Sequence, residues 1–357
     1  MRSEAPSVEE GCRLSEKKKM TPGRWVLAAA LALGLLAVAG VGAWLWEINA
    51  PLVFPQAETI TLHRAETLHR VSLRLEQRGI LPTWWTFDLL GRLSGVGRDL
   101  QAGQYRIRPG LNEIELLRRF VAGRVILHRF TIIPGETFAE LKAGLASDPN
   151  LRKPVRQQFS ASWVMRQVGH PNESPEGVFA PETYFFPGGA PVSALLVRAY
   201  RRMAVFLGTA WAHRERTRVL KTPYQALILA SLIEKESAYR KERPEIAGVF
   251  IRRLDLGMPL ASDPTVIYAL GPSFKGPLTV RDLDVASPWN TYRHRGLPPS
   301  PICYPSRNAI LAALHPRIGK NLYFVSMGNG RHIFARTLSQ QDRHIARYLL
   351  RKKGKKP

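Results

Sequence analysis

Two carboxylates separated by one lysine, Glu234 and Glu236, close the run Thr222-Pro-Tyr-Gln-Ala-Leu-Ile-Leu-Ala-Ser-Leu-Ile-Glu-Lys-Glu236. A carboxyl group does acid and base work near neutral pH only if its pKa is raised, and removal from water raises it because desolvation disfavours the charged form. Helical spacing puts Leu229, Leu232 and Ile233 on the same face as Glu236, so this residue rather than Glu234 is carried inward. Thr222 suits the cap of that helix and Pro223 its first turn. The plainer alternative is a surface network, because Glu234, Lys235, Arg240, Lys241 and Glu242 stand close by in sequence.

Other chemistries find little support. The 9 histidines are scattered, with lone cases such as His315 and His332 reading as structural. No H-E-x-x-H, no Cys/His cluster with zinc spacing, no Walker motif and no G-x-S-x-G occurs. A nucleotide-driven or serine-esterase mechanism therefore has no visible support. Downstream of Glu236, the blocks Glu242–Leu254, Gly257–Gly271 and Ser287–Pro301 mix rigid loops with Tyr268, Trp289 and Tyr292. Flat rings beside amides and hydroxyls equip a saccharide groove, and equally describe ordinary core aromatics.

These residues need elements to position them. The chain has 357 residues, with 52 Lys+Arg against 28 Asp+Glu for a formal charge of +24. So basic a protein works among anions, whether phospholipid, an acidic wall polymer or nucleic acid. From Trp25 to Trp46 no side chain ionises, a length that matches a bilayer core. Lys17, Lys18, Lys19 and Arg24 precede this stretch and Glu47 follows it, which places residues 1–24 in the cytoplasm and the bulk outside. The competing reading is a cleaved signal peptide, with Ala37-Val-Ala-Gly40 as the processing site. Cys12 and Cys303 lie on opposite sides of the stretch, so no disulfide is expected.

After the span, 25–46, residues 47–56 read as a proline-stiffened linker. Residues 57–125 form a small α/β module: a strand at Glu58–His63, helices at Thr67–Gln77 and Thr83–Leu93 around the turn Gly79-Ile-Leu-Pro82, and a strand at Gly103–Gly110. Residues 126–345 form the main domain. Val125–Ile133 reads as a strand, Pro134-Gly-Glu-Thr137 starts a helix, and helices dominate from residue 150 to Arg253. Pro/Gly-rich loops come next, with helices at Arg307–Leu314 and Leu338–Arg351 and a strand at Asn321–Val325. Residues 346–357 are a basic tail, of which the charge run 351–357 is expected to be disordered. The fold class is α+β.

Four ordered blocks resemble a known family. They are Leu229–Ser237, Ala247–Leu254, Ser262–Tyr268, and Asn290-Thr-Tyr followed by Gly296-Leu-Pro-Pro299, and they are similar to the endolytic murein transglycosylase (YceG-like) family. The resemblance implies a single-pass membrane protein with a LysM-like module before a mainly helical, lysozyme-like or mixed catalytic domain. It places the catalytic acid on Glu236, and Glu236-Ser237 resembles the Glu-Ser pair of other lytic transglycosylases. It departs at Ala180-Pro-Glu-Thr-Tyr184, where members commonly read Phe-Pro-Asp-Thr-Tyr, and at Ser306, where they commonly read glycine.

The activity implied by the resemblance is that of a lyase, which uses one carboxylate twice and closes a 1,6-anhydro ring on N-acetylmuramic acid without consuming water and with no metal or organic cofactor. Glu182, Asp263 and Glu234 are its candidate supporting carboxylates, with Asp263, before Pro264, also suited to bracing a turn. Thr265, Tyr268, Asn290 and Tyr292 are the candidate substrate contacts. The implied partners are peptidoglycan strands, membrane lipid through the anchor, and peptidoglycan synthases. Two rival readings remain: a non-catalytic, membrane-anchored wall-binding scaffold, and a basic nucleic-acid binder, which the exported topology disfavours.

Overall fold

Residues 22–154 and 159–350 are described by the computed structural model. The basic N-terminal segment with Cys12, and the basic run 351–357, lie outside the described residues. Helix α1, Pro22–Asn49, is apolar on every side, and its candidate span Trp25–Asn49 is packed against nothing over its most apolar window. A helix of this kind hides its side chains only in lipid or a comparable cover, which is compatible with a single-pass anchor or a signal sequence.

The chain divides into two compact units, residues 1–125 and 126–357. Beyond α1, the first unit runs β1 (Glu58–Leu62), α2 (Leu68–Gln77), α3 (Trp84–Leu93), β2 (Gly103–Ile107) and α4 (Glu113–Val121). The strands pair antiparallel, with Glu58 opposite Ile107 and Leu62 opposite Gly103. Alternation turns Ile60, Leu62, Tyr105 and Ile107 inward, onto Val71 and Leu75 of α2, Phe87 of α3 and Phe120 of α4. Thr67 caps α2 by accepting from Arg70 N. The strand–helix–helix–strand order matches the sequence expectation, whereas α4 was not expected. Its buried face is Glu113, Leu116, Leu117 and Phe120, a short stripe that a glutamate interrupts.

The second unit opens with β3 (Leu127–Thr131), α5 (Phe138–Ser147), the two-residue β4 (Leu151–Arg152), α6 (Ala161–Val168), β5 (Thr183–Pro187) and the two-residue β6 (Ala190–Pro191). Strand β3 pairs antiparallel with β5, Arg129 facing Phe185. The sequence reading placed β5 in helical territory; its inward residues are only Tyr184 and Phe186, too few to show alternation. Next come α7 (Val192–Ala212), α8 (Pro223–Glu236), α9 (Arg243–Asp255), α10 (Asp263–Leu270), α11 (Arg307–Leu314), the hairpin β7 (Tyr323–Ser326) and β8 (His332–Ala335), and α12 (Leu338–Ile345), which continues as a π turn to Leu350.

Helix α8 is the axis of this unit. Ala226 to Ile233 are all buried, so the helix is covered nearly all round and its inward end is held from several directions. A capping box joins Thr222 and Gln225 at its start. Helix α9 lies beside it, and at Gly248 a Cβ would stand 2.0 Å from the carbonyl oxygen of Arg317, so only glycine lets that backbone cross.

Candidate active site

Helix α8 stops at Glu236 because Ser237 is extended, and the buried carbonyl of Ser237 accepts from Arg243 Nε at 3.0 Å. Arg243 also grips Glu234 through two bonds, Nη2 to Oε1 at 2.7 Å and Nη1 to Oε2 at 3.0 Å. Ser306 completes the knot, donating to Glu234 Oε2 from its backbone N at 2.9 Å and from its hydroxyl. This pair is buried, bidentate and fully bonded, the conditions under which an ion pair holds geometry. Glu234, a candidate supporting carboxylate, therefore fixes the end of α8.

At the last residue of the helix, Glu236 Oε1 accepts from Ser262 Oγ at 2.5 Å. Glu236 keeps some solvent contact while protein crowds its carboxyl. That crowding pushes its pKa up to about 7; the Ser262 bond pulls down, nearby Asp263 pushes up, and Arg253 pulls down. Arg253 is itself buried and pinned by its bonds to the carbonyls of Leu322 and Leu260. A carboxyl balanced near neutrality between one anion and one cation is equipped to give a proton and take one back.

The loop before α10 places Ser262 through a buried hydroxyl network. Thr265 Oγ1 donates to Ser262 O at 2.6 Å, and Ser262 N donates to Thr291 Oγ1 at 3.0 Å. Ala261, just before, has φ of 48°, a left-handed conformation uncommon for alanine that the network sustains.

The structure sorts the other residues read from sequence. Asp263 opens helix α10 instead of bracing a loop turn, and its Oδ1 accepts from Tyr292 Oη at 2.5 Å. Tyr292 is partly exposed and stands beside Glu236, close enough for the two to interact electrostatically. Thr265 is fully buried in the hydroxyl network, its Oγ1 bonded to Ser262 O and close to Thr291 Oγ1. Asn290, also fully buried, spends its amide on the carbonyls of Leu283 and Val285 and accepts from Tyr292 N, so it shapes the loop. Ser237 is buried and accepts from Tyr239 N, a helix-end role. Glu182 lies elsewhere, ion-paired to Arg202 and Arg307.

Tyr268 donates to Glu176 Oε2 at 3.1 Å, and Glu176 escaped the sequence reading. Its other oxygen accepts from Phe138 N at 2.9 Å. Burial pushes its carboxyl up to about 7, against the pull of those two bonds, with Glu140 adding upward. Gly177 next door, whose φ is 78° and whose Cβ would collide with Pro301, lets the backbone turn tightly there, but nothing local in the sequence marks Glu176 itself. Trp289 packs on Tyr268 at 5.8 Å and lines a recess of about 920 Å³ with Tyr200, Tyr224 and Ser300. Glu236 is not among the residues of that recess. Among the described residues no cluster of His, Cys, Asp and Glu has the makings of a metal site.

Comparison with known proteins adds an independent observation. Residues 60–347 match the model of the YceG-like family. The chain is 26% identical over 318 residues to a protein of Bacillus subtilis strain 168 named endolytic murein transglycosylase, covering 83% of this chain and 86% of the relative. It is 25% identical over 323 residues to a protein of the same name from Streptococcus pneumoniae D39, spanning 82% of this chain and 58% of that longer one. A crystal structure of a YceG-like protein from Listeria monocytogenes superposes with a TM-score of 0.51 at 25% identity, covering 81% of this chain and 98% of that one.

Proposed function

We propose that this chain, which belongs to the YceG-like family, is a peptidoglycan lytic transglycosylase with Glu236 as its one acid and base. The observation that carries the reading is Glu236, a half-buried residue whose carboxyl is held by one oxygen on Ser262 and brought to a pKa of about 7 by burial. With Oε1 engaged, Oε2 is left for substrate.

The reaction runs in two proton transfers. Protonated Glu236 gives its proton to the oxygen between N-acetylmuramic acid and N-acetylglucosamine, and the bond from that oxygen to the muramic anomeric carbon breaks. The 2-acetamido oxygen of the same sugar stabilises the positive charge left behind. Ionised Glu236 then takes the proton from the 6-hydroxyl as that oxygen bonds to the anomeric carbon. The products are a free N-acetylglucosamine end and a 1,6-anhydro end, and Glu236 is protonated again. Asp263 and Tyr292, paired beside it, set the field in which Glu236 cycles. Within strands of growing murein, such cuts terminate or trim elongation.

The same reading makes α1 a single-pass anchor in the bacterial cell membrane, with the N-terminus inside, lipid around α1 and peptidoglycan synthases as neighbours. It makes the β1–α2–α3–β2 module LysM-like and wall-facing. The experiment is a murein digest with the full-length protein, read by mass spectrometry. Anhydro-muramyl ends are expected, and their absence, or equal yield from Glu236→Gln, overturns the assignment.

A further inference from the structure

A second recess of the main unit carries an unusual charge. It encloses about 860 Å³ between β5, α7 and the start of α11, and Arg198, Arg201, Arg202 and Arg307 all line it. The one carboxylate in its wall is Glu182. Four guanidiniums against one carboxylate leave the cavity with three positive charges in excess. Like charges gathered in a concave wall repel one another and concentrate anions.

These arginines are held ready. Glu182 brackets two of them, accepting from Arg202 Nε and, at 2.7 Å, from Arg307 Nη2. Arg307 also lies 4.8 Å over the Phe206 ring. Arg198 donates to the carbonyl of Phe185 at 2.8 Å. Arg201 makes no hydrogen bond or ion pair among the described residues, and it is exposed. Each guanidinium offers five N–H donors in a planar fork, so most donors here point to no protein acceptor. Beside Thr183 and Thr209 the wall also carries Phe185, 55% exposed, and Val205, 70% exposed, large side chains that ordinarily seek cover.

We propose that this cavity binds the carboxylate-bearing stem peptide of the glycan strand. Forks for carboxylates beside uncovered Phe185 and Val205 fit a short acidic peptide with small apolar side chains, and the volume lies within the range of peptide-sized ligand sites. A structural link ties the cavity to Glu236. Arg307 directly follows Ser306, whose N–H and hydroxyl hold Glu234, and Glu234 fixes the end of α8. The stem peptide thus docks on the wall that also braces the acid, and peptide-bearing strands are cut in preference to stripped ones. This rests on the peptidoglycan reading above.

The test has a binding arm and a cleavage arm, both with full-length protein in neutral detergent. In calorimetry, the free peptide L-alanyl-γ-D-glutamyl-meso-diaminopimelate binds, binding weakens as salt rises, and Arg201→Glu lowers affinity roughly ten-fold or more, the effect of losing a charge-assisted contact. Inorganic pyrophosphate and glycerol 1-phosphate, the water-soluble headgroup of an anionic lipid, are the controls: binding of either with none of the peptide, or binding of nothing, overturns the proposal. In digests, kcat/KM is higher for peptide-bearing strands than for amidase-stripped strands, and Arg201→Glu brings that ratio toward one. Equal rates in the wild type overturn the proposal while leaving the lytic activity standing. Cleavage of neither substrate sinks the lytic activity, and the peptide titration then judges the cavity by itself.

Discussion

The two units each bury a glutamate whose carboxyl is pushed up to about 7, Glu113 in the first and Glu236 in the second, and burial is the leading cause in both. Their surroundings differ. Glu113 is fully buried; one oxygen lies 3.0 Å from Thr86 Oγ1 and the other has no hydrogen-bond partner among the described residues. Glu236 keeps an opening to solvent, one oxygen anchored by Ser262, with Asp263 and Arg253 pulling its pKa in opposite senses. A raised pKa by itself therefore marks burial. Access, an anchor and opposed charges are what mark a working acid.

Substituting each acid by its amide breaks or sharpens this contrast. Glu236→Gln lowers the rate of anhydro-end formation by roughly 10³-fold or more, in the range of general acid–base contributions, whereas Glu113→Gln leaves it within two-fold of wild type (roughly, as for a residue outside the chemistry). Both substitutions act on stability with the same sign. A carboxyl whose folded pKa is about 7 against an ordinary 4.5 keeps its proton longer when folded, so its presence costs stability as pH rises from 4.5 through 7. Each amide variant removes that slope, gaining up to about 3 kcal/mol above pH 7 and nothing below pH 4.5 or so. Denaturant melts of Glu113→Gln from pH 4 to 8 check this; loss of activity in that variant would erase the distinction between the two acids.

The Glu234–Arg243 knot tests whether Glu236 depends on how its helix ends. Arg243→Met leaves the Glu234 carboxylate buried without its cation, and the expected cost is about 3–5 kcal/mol. Adding Glu234→Gln to that variant recovers part of the loss, since the stranded charge is gone. Chemical denaturation of the two variants measures both terms. If the double variant is no more stable than Arg243→Met, the pair is not what holds the end of α8.

Opposed charges make a directional prediction. Glu236 must be protonated to begin the reaction, so the rate falls as pH rises through its pKa. Asp263→Asn removes an anion that holds that pKa up, moving the alkaline limb of the pH–rate profile toward acid. Ser262→Ala removes a bond that holds it down, moving the limb toward alkali. Limbs that move together, or not at all, would mean that Glu236 is not the group being titrated.

The end of α8 was legible as a place for chemistry because the helix is long and apolar, but the stripe through Leu229, Leu232 and Ile233 does not separate its two acids: α8 is covered nearly all round, and the Glu234 side chain is buried on Arg243 while Glu236 is half-buried. Local signals also gave the Thr222 cap and the Pro134–Thr137 helix start, whose chemistry is set by near neighbours. What was not legible depends on distant neighbours. Strand β5 exists because β3 lies beside it, and α10 is a helix despite its proline because Pro264 sits in the first turn, where its missing N–H costs nothing. Thr265 and Asn290 are polar residues in a signature block, and only the fold reveals that their partners are buried backbone groups and hydroxyls. Glu176 pairs with Tyr268 across 92 positions of sequence, a separation no motif scan covers.

The mildest perturbation asks how finely the brace at Glu234 is tuned. Ser306 caps α11 through Oγ, which accepts from Ala309 N at 3.3 Å and from Arg243 Nη1 at 2.8 Å and donates to Glu234 Oε2. In Ser306→Gly those side-chain bonds vanish, but the backbone N–H to Glu234 Oε2 and both Arg243 contacts to the carboxylate persist. Glycine is also a tolerable N-cap, with water reaching the freed helix N–H groups, so the loss is about 1 kcal/mol or less. Ser306→Ala keeps the helix-favouring Cβ but caps poorly and shields those groups, and should cost more than the glycine variant. Melting both variants beside wild type orders them. A glycine variant less stable than the alanine one would mean that backbone stiffness ahead of α11 outweighs the cap, and an alanine variant as stable as wild type would mean that the hydroxyl's bond to Glu234 adds nothing to the brace.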